Sequence, residues 1–188
     1  SPSRGLGDVY KRQALAPRFA FTVRAYIGAA CLLPAGAVLG AVMAFSPGEP
    51  WQGRLLLAHQ ILNILGFVGI TVTGTLLTLW PTVLRTKADP VATARSARGL
   101  VGMGIGVVGA SIAAIVASVS LGVAFVLVYA GSFAWVTNTL VRAGIRSARQ
   151  EHRIELPWFP ILSIGAGMVW FMLGLLGLTA LWWRSADE

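Results

Sequence analysis

Apolar positions along this chain neither alternate with polar ones nor keep to one helix face; they run on without a break. Five stretches carry no Asp, Glu, Lys or Arg, at 26–45, 55–80, 100–118, 122–141 and 159–183. As helices, uncharged runs of about twenty residues match the ~30 Å hydrocarbon core of a bilayer. The first contains Pro34, which a membrane helix tolerates with a kink, and ends in the turn-rich "SPGEPWQG". The second would measure roughly 39 Å, so it should tilt or project beyond the membrane. From 100 to 141 the chain is uncharged throughout. One helix of that length would measure roughly 63 Å, about two bilayers, so it must fold back. The weakest point is "SVSLG" at 118–122, where a tight turn is expected. The pattern predicts an all-α membrane protein, a bundle of five transmembrane helices.

Composition agrees. Of 188 residues, 56% are hydrophobic and 12% charged, and mean hydropathy is +0.73; a soluble domain carries about 25% charged residues. The net charge of +8 would suggest nucleic acid in a soluble protein. Here it sets topology instead, because the basic residues crowd into alternate connections. Arg18 and Arg24 precede the first span. Arg85 borders, and Lys87, Arg95 and Arg98 lie in, a basic loop expected at 86–99, and Arg142, Arg146, Arg149 and Arg153 lie in the loop before the fifth span. The intervening connections hold only Arg54. By the positive-inside rule the amino end is cytoplasmic and the carboxyl end outside. Trp51, Trp182 and Trp183 then fall at the outer interface, and Trp80 and Trp158 at the inner one. Arginine outnumbers lysine and alanine, glycine and valine abound, pointing to a GC-rich bacterial genome and a bacterial plasma membrane. The lone cysteine, Cys31, lies in an apolar run and reads as a small hydrophobe.

The first thirteen residues, "SPSRGLGDVYKRQ", have no apolar run and no signal-peptide pattern. "DVYKRQ" matches a translated sequencing-library adapter, so residues 1–13 are expected to be non-native and excluded from fold reasoning. The membrane domain is then 14–188, a piece of a longer protein.

The second span holds the candidate chemistry. Within the five spans His59 is the only ionisable residue apart from tyrosine and cysteine, and Asn63 follows at i+4, on the same helix face. Membrane carboxylates are absent, which argues against a proton-coupled transporter, and no hydrolase triad can be assembled. Three readings of His59 stand. It is an interfacial polar residue bonded to Asn63 or to a neighbouring helix; or a haem or metal ligand, as neutral imidazole often is; or a hydrogen-bond partner for a quinone headgroup. The only other histidine, His152, lies in the opposite loop. Met168 and Met172 offer thioethers to copper, although core methionines usually pack. Gly66, Gly69 and Gly74 in the second span, Gly102 and Gly106 with Ala110, Ala113 and Ala117 in the third, and Gly167, Gly174 and Gly177 in the fifth read as helix-packing positions. Thr71, Thr75, Thr78 and Thr82 form a stripe whose hydroxyls are expected to bond to their own helix.

Two stretches, "RFAFTVRAYIGAACLLPAGAVLGAVMA" and "AHQILNILGFVGITVTGTLLTLWPTVLRTK", resemble the polytopic membrane region of actinobacterial copper-oxidase-type proteins. Shared features are a histidine, "LN", "G[FW]VG", "GTL" and a closing "P-T-x-x-R-T". More distantly the pattern is similar to the catalytic-subunit helices of haem-copper oxidases and nitric oxide reductases. The resemblance covers 18–86 well and the later spans in general character. It implies a redox or copper-handling membrane protein, with copper or haem in the full-length protein. His59 and Asn63 would face a metal, haem or quinone, and Gly66, Gly69, Gly74, Thr75, Pro81, Thr82 and Arg85 would be motif positions. Upstream helices and a cupredoxin-type domain or redox partner would complete it. No cupredoxin cluster and no second intramembrane histidine are present here. A non-catalytic membrane anchor or assembly subunit is the alternative. A small-molecule transporter ranks last, since the five spans show no repeat.

Overall fold

The computed structural model describes residues 20–86, 89–150 and 157–184. Five helices, each long and apolar enough to cross a membrane, make up this part of the protein, and no strand occurs among the described residues. They are α1 (Ala20–Met43), α2 (Trp51–Val83), α3 (Pro90–Ile115), α4 (Val119–Gln150) and α5 (Trp158–Arg184). The adapter-like residues 1–13 and His152 lie outside the described residues.

Burial separates the helices into a core and a periphery. About half of the most apolar stretch of α3 is buried within the bundle, 50%, and 44% of that of α2, against 11% in α1 and in α5. α3 and α4 pack most extensively against each other, and α2 lies across both. Lipid does not drive apolar helices together, so such contacts depend on close van der Waals approach through small residues. Gly102 faces Ser132, and Gly106 lies against the Phe125 carbonyl and the Tyr129 backbone. Ala110 and Ala113 are buried. The fifth-span glycines behave differently. Gly167, Gly174 and Gly177 have open space where a Cβ would stand, so their stripe is not used inside this bundle.

Three boundaries differ from the sequence reading. The 86–99 segment is not a loop, because α3 already begins at Pro90. Asp89 caps it: its Oδ1 accepts from the amides of Val91 at 2.8 Å and Ala92 at 3.3 Å, and proline occupies the first helical position. Arg95 and Arg98 therefore sit on helical turns. α4 likewise runs on to Gln150, so Arg142, Arg146 and Arg149 are helical. The hairpin turn falls at Val116–Ser118, slightly before the expected 118–122. There Ala117 adopts φ 55°, its amide bonds the Ala114 carbonyl at 3.2 Å, and the Ser118 amide bonds Ala113 at 2.9 Å. That is a Schellman ending with alanine where glycine is usual. A left-handed alanine costs roughly 1 kcal/mol, so Ala117→Gly should stabilise the protein by about 0.5–1 kcal/mol. Thermal melting in detergent, with a higher midpoint expected, checks this.

The tryptophans divide as well. Trp51, Trp158 and Trp183 are exposed, as interfacial anchors should be. Trp80 and Trp182 are buried instead. Trp80 donates its Nε1–H to the Leu140 carbonyl at 3.0 Å, and Trp182 lies against Gly122. Each fills a space that a neighbouring helix leaves open, Trp80 beside Gly144 and Trp182 beside Gly122.

Candidate polar site between the first two helices

The middle of α2, Ile61–Gly69, winds as a π-helix. Wide turns of this kind frequently mark functional positions, and form where a side chain enters the ladder of backbone bonds. Three side chains donate to carbonyls in or beside this stretch, Thr73 to that of Gly69 at 2.8 Å among them. Asn63 Nδ2 donates to the His59 carbonyl at 2.9 Å, and the Tyr129 hydroxyl reaches from α4 to the Leu65 carbonyl at 2.9 Å. His59 lies two residues before the π segment and Asn63 within it.

The imidazole faces α1. His59 Nδ1 stands 2.7 Å from the Gly36 carbonyl oxygen. A carbonyl only accepts, so Nδ1 carries the proton, and in the neutral ring Nε2 keeps its lone pair. The Asn63 amide nitrogen lies 3.3 Å from both ring nitrogens. Such a position is over the imidazole face, in line with neither in-plane lone pair, and adds a weak N–H···π contact. Both side chains are part-buried.

Gly36 and Gly40 permit this arrangement. A Cβ on Gly36 would stand 2.6–2.9 Å from the Asn63 amide group, and one on Gly40 would stand 3.1 Å from the imidazole Cε1. Sequence reasoning missed both, although their small-xxx-small spacing in an apolar helix was the available signal. It also missed Tyr129, which is fully buried and stacks edge-on with Phe171 at 6.2 Å between centroids. A tyrosine in an apolar run gives no hint of which carbonyl it will reach.

The other motif positions hold helices at close range. Gly66 lies against Leu32 and Val107, Gly69 against the Tyr129 hydroxyl, and Gly74 against Ala25. Thr75 donates to the Thr71 carbonyl at 2.8 Å and shares a 2.9 Å bond with the Tyr26 hydroxyl across to α1. Thr78 and Thr82 bond to their own helix, at 3.0 and 2.7 Å. The closing "PTVLRT" stops α2. Arg85 takes φ 54°, its amide bonds Thr82 at 3.1 Å, and the Thr86 amide bonds Pro81 at 2.9 Å.

The thioethers lie elsewhere. Met168 borders a cavity with Thr73 and Leu76, fourteen or more residues along α2 from His59, or about 20 Å. Among the described residues no group of three His, Cys, Asp or Glu side chains could hold a metal ion. Comparison with family models, with curated proteins and with solved structures returns no match to this chain. The site is thus a histidine with a fixed tautomer, clamped between two membrane helices, contributing one nitrogen donor.

Proposed function

We propose that this chain is the membrane-embedded helical module of a bacterial redox- or copper-associated protein. In this reading it sits in the cytoplasmic membrane with its amino end inside, and His59, supported by Asn63, is its contact with a redox group near the outer leaflet. The observation that carries the proposal is the 2.7 Å bond from His59 Nδ1 to the Gly36 carbonyl. Ligating and hydrogen-bonding histidines characteristically donate their second nitrogen to a carbonyl, which fixes the ring and raises the basicity of the other nitrogen. Only one donor comes from this chain, so a complete copper or haem site does not fit its residues alone. A quinol hydroxyl needs just one acceptor and fits the donor set best. The remaining ligands of any metal would come from the upstream helices or the cupredoxin-type domain that the family resemblance implies.

A second reading, a non-catalytic anchor or assembly subunit, is favoured by a separate observation. Nδ1 and the Asn63 amide are both spent within the bundle, on the Gly36 and His59 carbonyls. The first of these crosses from α2 to α1, and hydrogen bonds between membrane helices contribute about 0.6 kcal/mol each.

One experiment separates the two. The full-length gene product is purified, and haem absorbance, copper content and binding of a quinol analogue are measured for the wild type and for His59→Ala. The redox reading expects analogue affinity to fall about tenfold, the 1.4 kcal/mol of one well-placed hydrogen bond. If no haem, copper or quinol binds, and the substitution shifts only the melting temperature, the anchor reading replaces it.

A further inference from the structure

Between α1 and α3 runs a groove of about 390 Å³, open to the surroundings on one side and closed beneath by Ile70 of α2. Its walls extend from Phe21 to Leu32 on α1 and from Ala97 to Val108 on α3. Eleven helical steps on each helix correspond to about 16 Å, close to half the ~30 Å hydrocarbon core and therefore to the acyl depth of one leaflet. Nearly all of its surface is apolar, and Arg24 is the one ionisable side chain among the residues that line it. Two glycines open the groove. Gly28 and Gly104 both line it, and neither has an atom within 4 Å of where a Cβ would stand.

Arg24 lies in the second turn of α1, exposed, its guanidinium 5.9 Å from the Phe21 ring. Arg95 and Arg98 are exposed on the first turns of α3, at the same end of the bundle. Among the described residues the acid at that end, Asp89, accepts from the Val91 and Ala92 amides at the α3 amino terminus. The groove thus ends at the Arg24 guanidinium, with the charges of Arg95 and Arg98 outside it at the same end of the bundle, where lipid headgroups would lie. We propose that it is a binding site for one anionic phospholipid, whose acyl chain lies between α1 and α3 and whose phosphate pairs with Arg24. A zwitterionic lipid presents the same tails but adds a cation that Arg24 repels, so charge gives the selectivity and the groove gives the depth.

Native mass spectrometry of the full chain, released from detergent after equilibration with equal phosphatidylglycerol and phosphatidylcholine of matched chains, tests the site. The wild type should retain phosphatidylglycerol about fivefold over phosphatidylcholine, the effect of one arginine on an anionic headgroup. Arg24→Gln should bring the ratio near unity. Arg142→Gln, which removes the same charge from the same end but away from the groove, should leave it unchanged. Gly104→Leu fills the groove from a position with room for the side chain, and should reduce retention of both lipids. Helicity and melting in the same detergent show that each variant is folded, and Gly104→Leu carries the test if Arg24→Gln is not. Equal retention by the wild type overturns the proposal. So does a ratio that follows Arg142 in place of Arg24, or retention that Gly104→Leu does not alter, as when another helix covers the groove.

Discussion

Gly36→Leu is expected to destabilise the bundle by about 3 kcal/mol, the upper part of the range for inserting bulk into a packed site. A leucine at position 36 meets the Asn63 amide, so either Asn63 turns away and gives up its bond to the His59 carbonyl, or α1 moves off α2. The second route also breaks the His59 Nδ1 bond to the Gly36 carbonyl, so either way a polar contact of the site is lost along with the close packing. Reversible unfolding in mixed micelles measures the loss. Gly28→Leu on the same helix is the control, because nothing lies within 4 Å of its added Cβ; it should stay within about 0.5 kcal/mol of the wild type. Equal effects from the two substitutions would show that α1 does not dock on α2 through Gly36.

The second large effect is expected at Tyr129. Its side chain has no exposed surface, lies against Gly69 and Gly106, and packs edge-on against Phe171. Truncation to alanine removes the ring and leaves a cavity where α2, α3, α4 and α5 meet, for a cost of about 4 kcal/mol. Tyr129→Phe keeps the ring and loses only the 2.9 Å bond to the Leu65 carbonyl. It should cost about 1 kcal/mol, within the range measured for hydrogen bonds between membrane helices. The two variants together divide packing from hydrogen bonding, and the same unfolding measurement reads both. If Tyr129→Phe cost as much as Tyr129→Ala, the hydroxyl and not the ring would be holding the π segment in place.

The two substitutions touch the same segment of α2 from opposite sides. Gly36 and Gly40 bring α1 against His59 and Asn63, while Tyr129 reaches the Leu65 carbonyl from α4. The π-helical turns between them are held by side chains that occupy backbone carbonyls, which is why this stretch departs from ordinary α spacing. The candidate site thus lies where α2 is least regular. There α1, otherwise a peripheral helix, brings Gly36 and Gly40 against α2.

The five spans were legible because a bilayer imposes a simple demand. Every backbone group must be bonded within the helix, and the side chains must be apolar for about twenty residues. His59 and Asn63 stood out for the complementary reason, since few polar side chains tolerate that setting. Helix ends were less legible. Asp89–Pro90 is a start signal of ordinary strength, but charge in the residues that follow drew the boundary too late, at 100 in place of 90. The roles of Trp80 and Trp182 were misread because an indole can serve at an interface or between helices, and sequence does not say whether a glycine faces it.

From the sequence alone came the all-α class, the five crossings and the polar pair on one face of the second helix. Those follow from local chemistry and from the thickness of the membrane. Only the tertiary structure decided that the Gly36 carbonyl accepts the hydrogen bond from His59, that Tyr129 closes on the π segment, and that the glycines of α5 face open space. The first two depend on a close approach between residues twenty or more positions apart, and the third on the lack of one. In an apolar helix every small residue permits such an approach, and only the packed bundle selects which ones are used.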